Sequence, residues 1–390
     1  MRKFSLLALS LVFLLSACAP NFEKQNEVVQ TKEKVKGKAI IPKYNISDSY
    51  YRTILPFEPG EARGLVVNNI NTRYDLNEFE MGLMRIAQNS FDTEKYLFRE
   101  GQEIKEETIR LWLNRKYTKE QFKEKKKVDP TLKDADNIGL NPVDTGSKGE
   151  PSSPIYLAHI LEHDYLIKNE KGNVTLGGVT IGLALNSVYY YKQTSDGDTL
   201  EEKVPHSEMV SEGKKIAAEV IKRMRSIKSL KDVPITIALF EQASKSSVVP
   251  GNFITYSTVD NGSTTLNGWE NVNEKYFLFP SADAQEEHRD DVTAFLNFKQ
   301  DVEEYFPNYN GVIGRAFYMG DQLQDLNINI PIQFYGKTEG IGFTQYVTGL
   351  VMEHFPKYLS VSVSVTSVDG PEALIVRKAN EEEPFVHIYQ

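Results

Sequence analysis

His159-Ile160-Leu161-Glu162-His163 is the stretch of this chain whose residue types and spacing come nearest to a reaction centre. It fits H-x-x-E-H, the inverzincin pattern. On a helix, two His one turn apart hold Zn²⁺ on one face while the intervening Glu activates water. Ser153 and Pro154 suit the N-cap and first position of such a helix. A third ligand is then needed, and Glu219 is one available carboxylate. On a strand the two His still share a face, but Glu162 points away and the motif dissolves. Five-residue motifs recur by chance, so the working expectation is a partly buried segment with two polar His at its rim. His159 and His163 remain the metal candidates of the enzyme alternative, a zinc metallopeptidase. No nucleophile elbow, P-loop, dinucleotide fingerprint or EF-hand loop occurs, and no cofactor is expected. Asp48, Asp164 and the Asp290-Asp291 pair read as solvated surface or cap residues.

A second chemistry lies at the N-terminus. Arg2 and Lys3 precede an apolar run from Phe4 to Leu15, interrupted only by Ser5 and Ser10. The run is too short to span a bilayer, which takes about 20 residues, and suits the core of an export signal. It ends in Leu15, Ser16, Ala17 and Cys18, an aliphatic residue and two small ones before a thiol. This is the bacterial lipobox: the thiol receives a diacylglyceryl group, and the small residues admit the bond before it to a peptidase. Cys18 is the only Cys, so neither an intramolecular disulfide nor a Cys-based metal site is available. Two acyl chains (typically palmitate) suffice for stable membrane anchoring. Prolipoprotein diacylglyceryl transferase and lipoprotein signal peptidase are the expected maturation partners.

The remainder must fold to carry these groups. Of 390 residues 40% are hydrophobic and 25% charged, and 20 Tyr with 20 Phe argue for filled cores. The formal net charge is −9, and losing Arg2 and Lys3 with the leader takes the mature chain to −11. That sign disfavours nucleic acid and anionic headgroups as partners.

After a polar stretch the patterning begins near Tyr50. A strand is predicted over Gly64–Ile70, a helix over Leu76–Ser90 capped by Asp75, a strand at Tyr96–Phe98 and a helix over Glu103–Tyr117. Thr118–Pro154, with its Lys123–Lys127 run and many Pro, Gly and Ser, is predicted to be a long loop whose lysines solvate a helix end. Val174–Tyr191, Glu208–Lys228 and Val233–Phe240 then read as strand, helix, strand. So do Leu326–Tyr335, Gly340–Phe355 and Tyr358–Thr366. Between the two sets, strands are predicted at Phe253–Val259 and Tyr276–Phe279, and a helix over Gln285–Phe306. We expect an α+β fold with mixed or antiparallel sheets and a possible internal duplication of a strand–helix–strand unit. Tyr189-Tyr190-Tyr191 and the Tyr305–Tyr309 segment are candidate aromatic platforms for a peptide or glycan, the binding-module alternative.

Long aromatic-rich stretches carry a family resemblance. Pro154–Glu162, Asn186–Tyr191, Tyr305–Gly314, Ile330–Gly336 and Gly342–Tyr346 resemble the CamS family of lipoproteins from Gram-positive bacteria, and the likeness runs from about residue 50 to the C-terminus. The resemblance implies a precursor of a peptide sex pheromone released from the discarded signal sequence. The implied heptapeptide is Leu11, Val12, Phe13, Leu14, Leu15, Ser16 and Ala17, promoting plasmid conjugation through a pheromone receptor. It implies no catalytic role for the ectodomain. The expected layout is a signal peptide at 1–17 (pheromone segment 11–17), a lipidated flexible tether at 18–48, an N-terminal α+β region at 49–117, a polar loop at 118–153, and α+β repeats at 154–250 and 251–390. The expected location is the outer face of the cell membrane.

Overall fold

The computed structural model describes residues 26–32, 35–42, 46–47, 49–144, 153–170, 173–194, 196–305 and 311–389. The lipobox, the heptapeptide segment and Asp48 lie outside these residues. Within them the chain forms eight α-helices and three sheets, an α+β fold.

The first element corrects the tether expectation. β1 (Asn26–Lys32) and β2 (Val35–Ile41) pair as an antiparallel hairpin. A short strand β3 (Arg52–Thr53) follows. Gly64–Ile70 is not a strand: α1 (Arg63–Asn69) buries Leu65 and Val66 while Val67 stays exposed, a pattern that a run of four apolar or small residues cannot distinguish from a strand. α2 (Arg73–Ala87) is capped by Thr72, whose Oγ1 accepts the Asp75 N–H at 3.0 Å. Asp75 itself is fully buried and accepts the N–H groups of Gly251 and Ala243 at 2.7 and 3.2 Å. It pins α2 to a distant turn instead of capping its own helix.

β4 (Tyr96–Glu100) and α3 (Glu106–Leu113) agree with expectation in type. The predicted long loop contains α4 (Lys119–Val128), which starts in a capping box between Thr118 and Gln121. Its last turn carries Lys125–Lys127, so the lysines do solvate a helix end. Then come β5 (Leu157–Lys168), β6 (Asn173–Asn186), the small hairpin β7 (Val188–Tyr191) and β8 (Leu200–Lys203), α5 (His206–Met224), β9 (Ile235–Gln242), β10 (Asn252–Val259) and β11 (Glu270–Asn271). The second half runs β12 (Glu274–Phe279), α6 (Ala282–Glu287), α7 (Arg289–Tyr305), β13 (Ile313–Met319), β14 (Gln322–Pro331), α8 (Lys337–His354), β15 (Ser360–Ser367), β16 (Gly370–Arg377) and β17 (Phe385–Ile388).

The pairing makes the duplication concrete and enlarges it. In the first sheet the consecutive neighbours β4-β5-β6-β9-β10-β11 pair antiparallel, antiparallel, parallel, antiparallel, antiparallel. In the second, β12-β13-β14-β15-β16-β17 pair in the same sequence of orientations. In both, helices separate the first two strands and one long helix crosses between the parallel pair, as a parallel connection requires. The repeated unit is thus six strands. Its second copy starts at Glu274, not at 251, because β10 and β11 close the first sheet.

β6 is buried along most of its length, with α2 packed on one face and α5 on the other. Gly178 and Gly182 permit this. A Cβ at Gly178 would lie 2.2 Å from Phe91 Cε1, and one at Gly182 would lie 2.7 Å from Phe79 Cε2. In the second sheet Val361, Val363 and Val365 of β15 alternate inward against Phe295, Phe343 and Val347, as its sequence dictates.

Candidate functional site

β5 decides the fate of the His-x-x-Glu-His segment, because it is a strand. His159 and His163 lie on one face with Leu161, and Ile160, Glu162 and Asp164 on the other. The helical reading, and with it the His/Glu/His metal geometry, is overturned. β-branched and aromatic neighbours, and the pairing partners waiting on β4 and β6, outweigh the Ser-Pro start signal. Glu219 stands on α5, paired with Arg223 at 2.9 Å. α5 packs against Ile160 and the residues on that face, away from the two His. Among the described residues no group of three or more His, Cys, Asp or Glu can hold a metal ion.

The same segment instead forms one wall of a cavity of about 130 Å³. Pairing of β5 with β4 ends at Glu100↔His163. Beyond that point α1, α2 and the Gly101–Ile104 turn close over the free edge, so both faces of β5 contribute to the wall. His159 meets the Phe79 ring edge-on at 6.4 Å, and its Nδ1 lies 3.4 Å from Asn69 Nδ2. His163 meets Phe98 edge-on at 4.9 Å. Burial alone pushes His159 down to about 4 and His163 down to about 3, so both rings are neutral at pH 7.

Glu162 accepts the backbone N–H groups of Glu103 and Ile104 at 3.2 and 3.0 Å, both on Oε2. Burial, reinforced by the neighbouring Asp164, holds its carboxyl well above the usual range. Asp164, expected at the surface, is fully buried. Its Oδ2 accepts from Arg99 Nη2 at 2.5 Å and Nε at 3.1 Å, and Arg99 also reaches Glu103 at 3.0 Å. Three consecutive ionisable residues inside a β-strand are the signal of this site in the sequence: Arg99 compensates Asp164, backbone N–H groups hold Glu162, and His163 is buried in its neutral form.

A second, more open concavity of about 560 Å³ lies on the other side of α1. Tyr189, Tyr190, Asn68, Asn114, Asn186 and Lys245 contribute to it. Tyr189 stacks on Tyr191 at 5.4 Å and 13°, and its hydroxyl accepts from Arg115 at 3.2 Å. The Tyr190 hydroxyl accepts the Lys245 N–H at 3.0 Å, and Lys245 Nζ lies 4.3 Å from that ring. One of the two proposed aromatic platforms therefore lines a groove. The other, over Phe306–Tyr309, lies outside the described residues. Of the Asp290-Asp291 pair, Asp291 accepts the Tyr318 hydroxyl at 2.8 Å. No helix among the described residues is long and apolar enough to cross a membrane.

Comparison with known proteins gives one consistent answer. Residues 57–383 match the family model described as CamS sex pheromone cAM373 precursor. The solved C-terminal domain of the sex pheromone staph-cAM373 precursor from Staphylococcus aureus is 36% identical, with a TM-score of 0.71 over 83% of this chain and 98% of that one. A sex pheromone precursor from Lactobacillus salivarius subsp. salivarius UCC118 is 30% identical, with a TM-score of 0.79 over 89% of this chain and 98% of that one. No curated protein matches the chain.

Proposed function

Because the chain belongs to the CamS sex pheromone cAM373 precursor family, we propose that it is an extracytoplasmic lipoprotein whose cleaved leader yields a hydrophobic heptapeptide pheromone. The observation carrying this reading is the position of Leu15-Ser16-Ala17-Cys18 at the end of an apolar run in a chain of that family. Signal peptidase cuts between Ala17 and Cys18, and a membrane protease releases Leu11–Ala17. The peptide's side chains are uncharged, so it partitions into membranes and fits an apolar receptor pocket. Cys18 keeps the ectodomain, which carries no catalytic role in this reading, on the outer face of the membrane. The test is a clumping and plasmid-transfer assay with synthetic Leu11–Ala17 on cells carrying a pheromone-responsive conjugative plasmid. A response at nanomolar peptide is expected, and silence up to micromolar peptide rules the pheromone out.

A second reading concerns the ectodomain. The groove beside Tyr189 and Tyr190, with the Asn68 and Asn114 amides and the Lys245 cation, supports a binding module for an envelope peptide or glycan. Titration with muropeptides and glycan oligomers tests it. Binding that Tyr190→Ala weakens about tenfold is expected from the loss of one stacking platform, and binding indifferent to that change refutes it.

A further inference from the structure

We propose that the cavity beneath α1 is a binding site for a small uncharged molecule: an apolar body about the size of a benzene ring, bearing a hydroxyl or carbonyl. The inference is independent of the pheromone reading and concerns a place where neither that reading nor the groove assigns anything.

Size and lining set the class. An engineered cavity of about 150 Å³ lined by aliphatic and aromatic side chains takes up benzene, and the present one measures about 130 Å³. Its lining is mostly apolar, with Val66, Met84, Phe98, Ile104, Ile109 and Leu161 prominent. Met81 stands at the rim and is 39% exposed. Flexible thioether side chains such as Met81 and Met84 let an opening adapt to what passes through it.

The polar groups set the rest. Glu162 Oε1 and His163 Nδ1 are buried and have no hydrogen-bond partner, while both residues line the cavity. Folded proteins leave few such atoms unmatched, and each one calls for an account. Two backbone N–H groups already occupy Glu162 Oε2, so the proton that burial favours on this carboxyl falls to Oε1 as a donor. A ligand hydroxyl or carbonyl oxygen accepts it, and a ligand hydroxyl donates to a neutral His163 Nδ1. Neither group offers a counter-charge. A charged ligand would lose its hydration without replacement, so the site discriminates against ions. Arg63, Glu80 and Glu100 also line it; Arg63 and Glu100 are paired to each other at 2.5 Å, and the Glu80 carboxylate adds a further bar to anions.

Phenol is the probe, with benzoate as its charged counterpart, titrated at pH 7 into the purified mature chain and followed by calorimetry and by the His ring resonances. The expected result is saturable 1:1 binding of phenol with a Kd of about 1 mM or tighter, reasonable for seven heavy atoms. It should move the His163 resonance, with benzoate at least about tenfold weaker. Two cavity-filling variants, Met84→Trp and Leu161→Phe, should each raise the phenol Kd about tenfold. Having two guards against one misfolding, and cooperative thermal unfolding identifies the variant to be read. Absence of saturable phenol binding, which would mean a cavity that holds only water, overturns the proposal. So does equal affinity for benzoate, or binding that neither filler weakens.

Discussion

At the scale of single residues, the molecule is governed by a few polar groups in places where composition would not put them. His159, Glu162, His163 and Asp164 fall within six consecutive positions of β5, and all four are buried. Their titration can be separated. In the unfolded chain each His takes a proton near 6.5; in the folded chain burial holds His159 near 4 and His163 near 3. Between those limits the unfolded chain binds more protons, so the His contribution is intact above pH 6.5 and is lost as pH falls. Glu162 and Asp164 act the other way: their raised values make the folded chain the better proton binder as pH falls toward 4. Comparing wild type with His163→Gln isolates one His. The variant's urea stability should fall less steeply between pH 6 and 4, by about 1.4 kcal/mol per pH unit. Identical slopes would mean that His163 is already protonated or solvated in the folded protein. None of this was legible beforehand, because burial of a His depends on chain segments some 60 to 90 residues away, such as Phe98 and Asn69.

Elements were read well wherever periodicity was long. β15 was plain in its Ser/Val alternation, and α5 in its repeat of Ile216, Ala217, Val220 and Met224. Short or two-way patterns failed. Leu65 and Val66 could serve a strand or a helix, and the tertiary fold chose the helix. α4 hid inside a Pro/Gly-rich region because its ten residues bury only Phe122, so no apolar stripe announces it. The candidate site suffered most, since a His-x-x-Glu-His motif carries its meaning only on a helix. Among the elements, β6 is where sequence and packing are most tightly bound, since α2 and the turn after it approach at glycine. Gly178→Ala should cost about 2 kcal/mol in chemical denaturation, because the Phe91 ring must leave its stack on Tyr165, 4.8 Å away. A neutral substitution would show that the ring moves freely.

For the whole molecule, two copies of one six-stranded pattern are held together by a small set of charges. Arg85 of α2 donates to Glu274 of β12 at 2.8 and 2.6 Å and to Glu78 at 2.5 Å, while Tyr276 donates its hydroxyl to Glu78 at 2.5 Å. Both carboxylates are buried. Arg85→Met would strand two acids at the junction of the sheets and should cost about 3 kcal/mol. Unfolding should then separate into two transitions, one per sheet, when followed by Trp fluorescence and circular dichroism together. Both Trp precede β12, at positions 112 and 269, so fluorescence follows the first sheet alone while circular dichroism follows both. A single unchanged transition would place the coupling elsewhere. The topology also sets a length scale. β1 begins at Asn26, eight residues after Cys18. At no more than about 3.5 Å per residue, eight residues span at most about 28 Å. A thirty-residue tether would have let the ectodomain range about 100 Å from the bilayer. With the lipid proposed on Cys18, the ectodomain would stay within roughly its own diameter of the membrane, and whatever it meets would have to come to the lipid surface.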